Sequence, residues 1–450
     1  MTYSKDLEVM LGDPKRAVLV MTVPLILSYA IAQVNMFADT AWCAGLGSYA
    51  STALSTIIPY YWLISGIGTG IGIGAAASIA RHLGRNEAGE AESQVSQTLV
   101  LSVAVGLLIM VPLYLSLEPM LGIMSVGDVG SHCIDYITPV IVFSTVFVLN
   151  GAVAGLLRAE GAARKSMTVL IVAAVLNIIL DPLLIYGADL GLAGAGLATS
   201  LSTLVSTLLG LYWFLSGKMY LRITFKGFRV RLDQMKDVLS VGLPRTVEVF
   251  FICFLSFVQR IVLIPKLGVM SSAMYNVPWS FVSLVIVISQ AAAAALVPVC
   301  SAAIGVRDGE KARTAFLYIS KISLIAMTVI AAVIFVFAET FIIPMSLDPS
   351  LEPYRDIYVY GLRVYMLCIP FLACIDLGGA MLQALRRAKI PMYTAFLRNF
   401  VLLGLIALCT TMEEVYWSVF AVEIIGGSLN MAMGLWALGR FRRYSCSSPA

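Results

Sequence analysis

Two carboxylates interrupt apolar stretches of the sequence, and an asparagine precedes each of them by four residues. Asn35 and Asp39 form one such pair, and Asn177 and Asp181 form the other. Residues four apart lie on one face of a helix, so each stretch presents an amide and a carboxylate together. Oxygens of these groups suit a hard cation such as Na+, and a carboxylate in an apolar setting also takes up a proton. Both pairs are therefore candidate binding sites for Na+ or H+, with Gln33 and Asn35 expected to line the same cavity.

Proline directly follows one of these carboxylates. Pro182 has no backbone N–H, so the carbonyl of Ile178 loses its helical partner and the helix is predicted to kink beside Asp181. The freed carbonyl would add an oxygen for a cation. Pro24 in the first apolar stretch is a second candidate hinge, and a static kink is the alternative interpretation there.

The composition indicates what must position these groups. Of 450 residues, 60% are hydrophobic and only 12% are charged, with a mean hydropathy of +0.91, which is far from the balance of soluble domains. Apolar stretches long enough to cross a bilayer recur along the chain, and they are continuously apolar, as helices and not barrel strands require. The predicted fold class is an all-α polytopic membrane protein with twelve transmembrane helices. They begin near Ala17, Ser51, Ser93, Cys133, Lys165, Gly191, Val238, Ser271, Thr314, Ile357, Pro391 and Val415.

Basic residues between the stretches set the topology. With the N-terminus in the cytoplasm, only Lys266 and Arg355 fall in the external loops. The residues assigned to the cytoplasmic side are Lys5, Lys15, Arg16, Arg81, Arg85, Arg158, Arg164, Lys165, the stretch 218–236, Arg307, Lys311, Arg313, Arg386, Arg387, Lys389, Arg440, Arg442 and Arg443. This bias predicts a multi-pass protein of the cell (cytoplasmic) membrane with both termini in the cytoplasm. The net charge of +4 then reports topology, and no nucleic-acid partner is expected.

The sequence repeats itself at an offset close to half its length. The matched stretches are VPLILSYAIAQ (from residue 23) with LPRTVEVFFIC (from 243), AGLGSYASTALS (from 44) with PKLGVMSSAMYN (from 265), LGRNEAGEA (from 83) with IGVRDGEKA (from 304), and LRAEGAARKSM (from 157) with LQALRRAKIPM (from 382). We therefore expect two six-helix bundles related by a pseudo-twofold axis along the membrane normal. The predicted units are an N-lobe at 1–216, a cytoplasmic linker at 217–237 and a C-lobe at 238–450. The linker is interpreted as either a surface amphipathic piece or a solvated basic connector.

The second half lacks the asparagine and aspartate pairs. Its buried acids are predicted to be Glu248, Asp376 and Glu423, and its buried bases Arg260, Arg363 and Arg398. Internal ion pairs are the favoured interpretation, and a cation site is the alternative. Coupling is therefore predicted to reside in the first half, with Asp376 and Glu248 as secondary candidates.

Other patterns favour packing over chemistry. The run GIGTGIGIG, from Gly66 to Gly74, resembles a phosphate-binding loop, but its glycines recur every four residues inside an apolar stretch, as in closely packed membrane helices. The cysteines form no C-x-x-C pair, and the only two histidines, His82 and His132, lie at loop edges. No metal beyond Na+, no cofactor and no enzymatic activity are expected.

The helix sequences resemble those of one transporter family. PLILSYAIAQVNMFADTAWCAGLG, LLRAEGAARKSM and NIILDPLLIYGADLGLAGAGLATSLS are similar to signatures of the MATE (multidrug and toxic compound extrusion) transporters. The resemblance covers essentially the whole chain, and the archaeal and DinF-like branch is the most similar. Its most specific part is N-x-x-L-D-P followed by G-A-x-L-A-T.

This resemblance implies a mechanism and a site. Members of the family export organic, often cationic compounds in exchange for Na+ or H+, alternating between outward-open and inward-open states. In the similar branch the residues at the positions of Asp39, Asn177, Asp181 and Thr199 hold the cation, and the hinge proline corresponds to Pro24. Another branch uses acids of the second lobe, but here Glu248 lacks the expected spacing from GLP and Asp376 is one residue out of register with LRR.

The predicted function is a cation-coupled antiporter, driven by H+ or Na+, that exports a small organic and cationic or amphipathic substrate across the lipid bilayer. We expect a monomer without a cofactor. The alternative is a lipid-linked saccharide flippase of the same superfamily, which should favour a basic cavity.

Overall fold

The protein is described here from a computed structural model, in which residues 4–124, 129–224, 228–268, 270–343 and 352–447 are placed. Helices make up nearly all of these residues, as the apolar stretches predict. The helices are α1 Lys5–Leu11, α2 Pro14–Ala44, α3 Ser48–Gly84, α4 Ala88–Met124, α5 Val129–Val142, α6 Ser144–Ala159, α7 Ala163–Pro182, α8 Gly191–Leu215, α9 Leu232–Leu267, α10 Met270–Gly305, α11 Gly309–Val336, α12 Ala338–Ile342, α13 Arg355–Ala384, α14 Lys389–Leu408 and α15 Met412–Ser447, with a π turn at Leu183–Gly187 and a 3-10 turn at Glu352–Tyr354.

The predicted twelve-span, all-α architecture is confirmed. Ten helices of the described ranges are long and apolar enough to cross a membrane by themselves. Helices α5 and α6 form an eleventh span that is bent by 56° at its break. Helix α9 is the twelfth long segment, with 36 residues, among them Arg245 and Glu248.

Turns with left-handed backbone conformation recur at equivalent positions of the two halves. Gly47 and Gly268 have φ of 119° and 83°, and Asn86 and Arg307 have φ of 60° and 58°. Gly161 and Arg386 form a third such pair, with φ of 80° and 59°. An arginine adopts this conformation only against a steric cost. The paired turns therefore indicate that both halves follow the same chain path, as the repeat predicts.

The two lobes share one apolar core at one end and have separate cores at the other. The shared cluster contains Met21 and Ala80 of the first half together with Ala295 and Ala384 of the second. Toward the other end, one cluster around Ile57 contains only residues of the first half, and another contains only residues of the second half, from Leu263 to Val422. Among the described residues, the lobes are thus joined at one end and divided at the other, as in a V.

Both described termini lie at the joined end, which we call the basic end. Here α1 crosses between lobes, because the carbonyl of Leu11 accepts a hydrogen bond from Lys311 Nζ at the start of α11. Arg442 near the end of α15 pairs with Glu310, which lies in the first turn of α11 beside Lys311. The opposite end, where the lobes separate, is called the open end.

Glycines of α3 form a seam with the other lobe. A Cβ on Gly70 would lie 2.7 Å from the Gly242 carbonyl oxygen of α9, and a Cβ on Gly242 would lie 2.7 Å from that of Gly70. A Cβ on Gly74 would overlap the Val238 carbonyl oxygen, also of α9. Backbones approach this closely only where side chains are absent. The prediction that the GIGTGIGIG run serves helix packing is therefore confirmed.

The linker is fastened to the first lobe by hydrogen bonds from α4, and the choice between its two predicted forms stays open. Gln97 of α4 donates to the Arg229 carbonyl at 2.6 Å and accepts from the Arg231 N–H at 3.2 Å, while Leu221 is fully buried. Residues 232–237, predicted as linker, already belong to α9, and residues 225–227 lie outside the described ranges. Polar side chains of α4 hold the linker in place, while its basic residues Lys218, Arg222 and Arg229 are exposed.

Candidate cation site and central cleft

Asn177 of α7 is the centre of a buried polar network in the first lobe. Its amide oxygen accepts a hydrogen bond from Asn35 Nδ2 of α2 at 2.8 Å. Its amide nitrogen donates to Asp181 Oδ1 at 2.9 Å and faces Thr199 Oγ1 of α8 at 3.4 Å. Three helices therefore contribute to one cluster. The i, i+4 spacing places Asn177 and Asp181 on one face of α7, as the sequence predicts.

Asp39 lies one turn beyond Asn35 on the same face of α2. Its side chain is 9% exposed and lines a cavity together with Asn177 and Thr199. The Sγ of Cys43 lies 3.9 Å from Asp39 Oδ1, and the hydrogen bond from Asn35 to Asn177 joins the helix of Asp39 to the helix of Asp181. The structure thus places each acid one helical turn from an asparagine, and the two asparagines are hydrogen-bonded to each other.

Acceptor oxygens in this neighbourhood lack donors. Asp181 Oδ2, Asn35 Oδ1 and Gln33 Oε1 are all buried, and none has a hydrogen-bond partner among the described residues. Buried acceptors are nearly always satisfied because leaving one unpaired costs about 1–3 kcal/mol. Oxygen lone pairs that accept no hydrogen bond and lie near a carboxylate can bind a cation or an added proton. All three possible ligand atoms are oxygens, which hard cations prefer.

A change of helix type follows Asp181. The α-helix ends at Pro182 and continues as a π turn, in which the Ala188 N–H donates to the Leu183 carbonyl at 2.8 Å. Pro182 removes one donor from the ladder, and the wider turn absorbs the resulting mismatch. Tyr186, on this turn, donates from its hydroxyl to the Trp42 carbonyl at the end of α2. A π turn therefore follows Asp181 and ties α7 to α2, while the kink itself stays a prediction.

Pro24 lies inside α2, which remains an α-helix from Pro14 to Ala44. The Pro24 carbonyl accepts a hydrogen bond from Ser28 Oγ at 2.9 Å. This contact places a polar group one turn after the proline. A hinge function for Pro24 stays a prediction.

The cation site opens into a cavity of about 380 Å³ within the first lobe. Its walls include the aromatic side chains of Tyr61, Trp62, Tyr136 and Phe147. A second cavity of about 210 Å³ lies between the lobes and shares Tyr29, Thr69 and Arg158 with the first. Together these cavities form the central cleft, which is rich in aromatic and amide groups. It carries Asp39 in the first cavity and Glu248 and Asp376 in the second.

Two arginines that the sequence analysis assigned to loops are buried. Arg158 is 5% exposed and Arg81 is 6% exposed. Arg158 belongs to the last turn of α6 and Arg81 to the last turn of α3. The loop assignment was therefore wrong for both, because the spans extend further toward the basic end than their apolar stretches do.

Arg81 belongs to an ionic network that connects the lobes at the basic end. Its Nη2 lies 3.2 Å from Asp237 Oδ2 of α9. Asp237 also accepts a hydrogen bond from Ser78 Oγ and pairs with Arg386 of the second lobe. The acidic residue is thus surrounded by donors from both halves. Nothing in the local sequence around Asp237 signals these partners.

The acids of the second lobe are paired in most cases. Arg398 binds Glu423 at 2.8 Å, so this predicted internal ion pair is confirmed. Glu248 binds Arg245 at 2.9 Å, a partner that was not predicted although the i, i+3 spacing in PRTVE signals it. Asp376 accepts a hydrogen bond from Ser289 at 2.6 Å.

Arg363, another predicted base of this lobe, does not neutralise a buried acid among the described residues. Arg363 is half-exposed and pairs with the exposed Glu339 at 3.2 Å, so its predicted buried role was wrong. The side chain of Arg260 lies outside the described part of the chain. Asp376 and Glu248 both line the cavity between the lobes, and no coupling role for them is indicated by this pairing.

Known proteins share this architecture. The chain is 26% identical over 200 residues to the multidrug export protein MepA of Staphylococcus aureus, a match that covers 44% of each chain. It is 25% identical over 362 residues to an FAD transporter of Shewanella oneidensis, covering 79% of this chain and 80% of that protein. A solved structure described as the outward-facing conformation of a multidrug resistance MATE family transporter has a TM-score of 0.94 at 25% identity, covering 98% of this chain and 100% of that one.

A family model matches each half of the chain in turn. The matched ranges are 24–183 and 244–408, and the model is that of MatE. The first range contains Asp39, Asn177 and Asp181, and each range starts at one of the equivalent prolines Pro24 and Pro244. Two matches in tandem, on two helical lobes around a cleft, identify the chain as a member of the MatE family of membrane transporters.

Proposed function

We propose that this protein is a cation-coupled antiporter that exports small organic compounds by alternating access. The coupling ion, Na+ or H+, binds at Asp39, Asn177, Asp181 and Thr199. The observation that carries this proposal is a cluster held by three helices, in which Asp181 Oδ2 and Asn35 Oδ1 are buried and have no hydrogen-bond partner among the described residues. A cation or a proton would satisfy these oxygens and reduce the repulsion between the two carboxylates.

The basic end faces the cytoplasm in this proposal. Lysines and arginines remain on the side of the cell membrane where they are made, and both described termini lie at that end. The division of the lobes at the open end then corresponds to an outward-facing state. External ions therefore have access to the cavity that contains Asp39. An antiporter that couples ion import to substrate export needs this access in its outward-facing state.

Ion and substrate exclude one another at the acidic end of the cavity. A cationic group of a substrate is stabilised by Asp39 and Asp181 when they are ionised, and the incoming Na+ or H+ removes that attraction. The aromatic wall provides apolar contact for varied organic bodies. The names of the relatives, one a multidrug exporter and one an FAD transporter, are compatible with a broad range of organic substrates.

One chain supplies every residue of the proposed ion site, so the functional unit is proposed to be a monomer in the lipid bilayer. No step of this mechanism needs a cofactor, a catalytic group or a nucleic acid. Pro24 and Pro182 are the proposed hinges, one in the middle of α2 and one at the π turn. Both lie on helices that also carry the ion-binding acids.

A lipid-linked saccharide flippase is the alternative. Such a protein would favour a basic cavity, whereas the outer part of this cavity carries Asp39 and the neighbouring Asp181. Arg158 lies at its inner part, so cavity charge alone does not separate the two functions. Dye efflux driven by an imposed ion gradient separates them, because a flippase would not couple dye movement to that gradient.

The test is transport by purified protein in vesicles loaded with a cationic dye. Asp39→Asn and Asp181→Asn are expected to lose ion-driven efflux at least tenfold, while Asp189→Asn retains it. Asp189 is an exposed acid with φ of 53°, a conformation that asparagine tolerates, so it matches the charge change without touching the site. Dissipating the Na+ or the H+ gradient identifies the coupling ion. Full efflux by both site variants would reject the assignment.

A further inference from the structure

Arg158 occupies an unusual place in the cleft. It lies in the last turn of α6, is 5% exposed, and lines both the first-lobe cavity and the cavity between the lobes. No function derived above uses it. The sequence analysis used Arg158 as one of the basic residues that set the topology. A basic residue of a cytoplasmic loop should be exposed to solvent, whereas Arg158 is buried.

Arg158 lacks an acidic partner in the described part of the chain. Its Nη1 donates to Ser166 Oγ at 3.3 Å, a neutral acceptor. Glu160, two residues later, directs its carboxylate to the linker N–H groups of Tyr220 and Leu221. The other arginine of the same cavity, Arg245, is neutralised by Glu248 at 2.9 Å. Among the described residues that line the cleft, Arg245 therefore has an acidic partner and Arg158 has none.

General electrostatics makes this arrangement costly without a ligand. A buried charge is normally paired or hydrogen-bonded throughout, because the interior does not replace its hydration. The C-terminus of α6 offers about half an elementary negative charge, which compensates only part of a full positive one. The guanidinium has five N–H donors in a planar fork, and one is used by Ser166. The remaining fork fits a carboxylate, phosphate or sulfonate, which it binds through two parallel hydrogen bonds.

We propose that Arg158 is a binding residue for the anionic group of a transported amphipathic compound, an organic carboxylate, phosphate or sulfonate. This assignment rests on the proposed transport function and adds a substrate class to it. Tyr29 lines both cavities beside Arg158 and lies ten residues before Asp39 on α2, or about 15 Å along the helix axis. The anion therefore binds well away from the ion site, at the inner end of the same cavity. A substrate with an additional cationic group reaches both ends.

A matched pair of probes tests the proposal directly. Riboflavin 5′-phosphate and riboflavin share one ring system and differ by a phosphate. Their binding to the purified full chain is measured by equilibrium fluorescence at fixed pH without Na+. We expect the phosphate form to bind at least tenfold more tightly. Arg158→Gln is expected to lower its affinity to that of riboflavin, with riboflavin binding unchanged.

Three variants separate recognition from folding. Arg158→Lys keeps the charge but loses the fork, so phosphate affinity should fall by an intermediate factor of about three to five. Ser166→Ala removes the structural contact of Arg158, and Arg164→Gln removes an exposed arginine nearby; both should leave the phosphate preference intact. Equal affinity for the two probes in the native chain, or no measurable binding of the phosphate form, overturns the proposal. So does an unchanged preference in a folded Arg158→Gln variant.

The binding assay also distinguishes this proposal from the transport mechanism. It needs no ion gradient, and Asp39→Asn and Asp181→Asn should retain the phosphate preference while losing ion-driven efflux. Retained efflux in those two variants together with a lost preference in Arg158→Gln would reject the coupling site and keep the anion site. Lost efflux in those two variants together with a retained phosphate preference in Arg158→Gln would keep the coupling site and reject the anion site.

Discussion

The amide nitrogen of Asn35 lies 2.8 Å from the amide oxygen of Asn177, and this hydrogen bond joins the two helices that carry Asp39 and Asp181. It also fixes the orientation of Asn177, because an amide whose oxygen accepts from α2 must point its nitrogen toward Asp181 and Thr199. A single contact thus aligns the cluster. The side chain of Asp181 on α7 is therefore positioned, through Asn177, by α2, the helix that carries Asp39.

Breaking this contact should weaken ion binding without removing an acid. Asn35→Ala leaves the Asn177 amide free to rotate, and the loss of about one hydrogen bond, near 1 kcal/mol, corresponds to a fall of about fivefold in affinity for the coupling ion. Ion-dependent tryptophan fluorescence or the half-maximal ion concentration for efflux measures it. Asn276→Ala is the control, since Asn276 is exposed and bonds only within its own helix turn to Ser272. Equal effects of both substitutions would contradict a role for the contact.

The glycine seam predicts a steric effect on the closed basic end. Gly74→Ala would push a methyl group into the Val238 carbonyl, and overpacking of this kind costs about 1–3 kcal/mol. We expect a lower Tm and wider distances between spin labels placed across the basic end. Gly89→Ala is the matched control, because the Cβ at Gly89 meets no atom within 4 Å. A Gly74→Ala protein with native distances and Tm would argue against a tight seam.

Removing the charge of Asp237 should loosen the same end by another route. Asp237→Asn leaves Arg81, whose side chain is 7% exposed, without its carboxylate, and breaking a buried pair costs about 3–5 kcal/mol. Increased labelling of cysteines introduced at the basic end would report the opening. Asp233→Asn provides the comparison, since that acid pairs with Arg231 at an exposed site where ion pairs contribute at most about 1 kcal/mol. The prediction fails if the two variants label alike.

The extent of sequence prediction differs between features for physical reasons. The twelve spans and the two lobes follow from hydropathy and charge bias, which add up along the chain. The cluster around Asn177 could be anticipated because i, i+4 spacing and helix direction are local rules. The partners of Asp237 could not, since Ser78 and Arg386 reach it only through packing of the two lobes. The burial of Arg158 was missed because a charged helix end has the same sequence pattern as a loop.

Glu160 predicts a pH dependence of stability. Burial raises the pKa of Glu160 from 4.5 to about 8, against the opposing influence of the linker N–H groups of Leu221 and Tyr220 and of Lys165. The folded chain therefore keeps a proton that the unfolded chain releases above pH 4.5. Stability should fall as the pH rises from 4.5 to about 8, by up to about 1.4 kcal/mol per pH unit, and then level off.

Thermal unfolding between pH 5 and 8 checks this dependence. Glu160→Gln carries no titrating proton at this position, so its Tm should decline less steeply than that of the native chain. Glu8→Gln, at an exposed position of α1, should follow the native profile. Parallel profiles for the native chain and Glu160→Gln would assign the dependence to other groups.

The seam between Gly70, Gly74 and Gly242 also bears on the reversibility of transport. Glycine has no side-chain rotamers, so bringing these backbones together freezes no side-chain torsions and separating them releases none. Long side chains at the same positions would have to be reordered on every closure. The lobes can thus meet repeatedly in the same register with little entropic resistance at this contact, and the barrier to switching is then set mainly by the surrounding apolar and ionic groups.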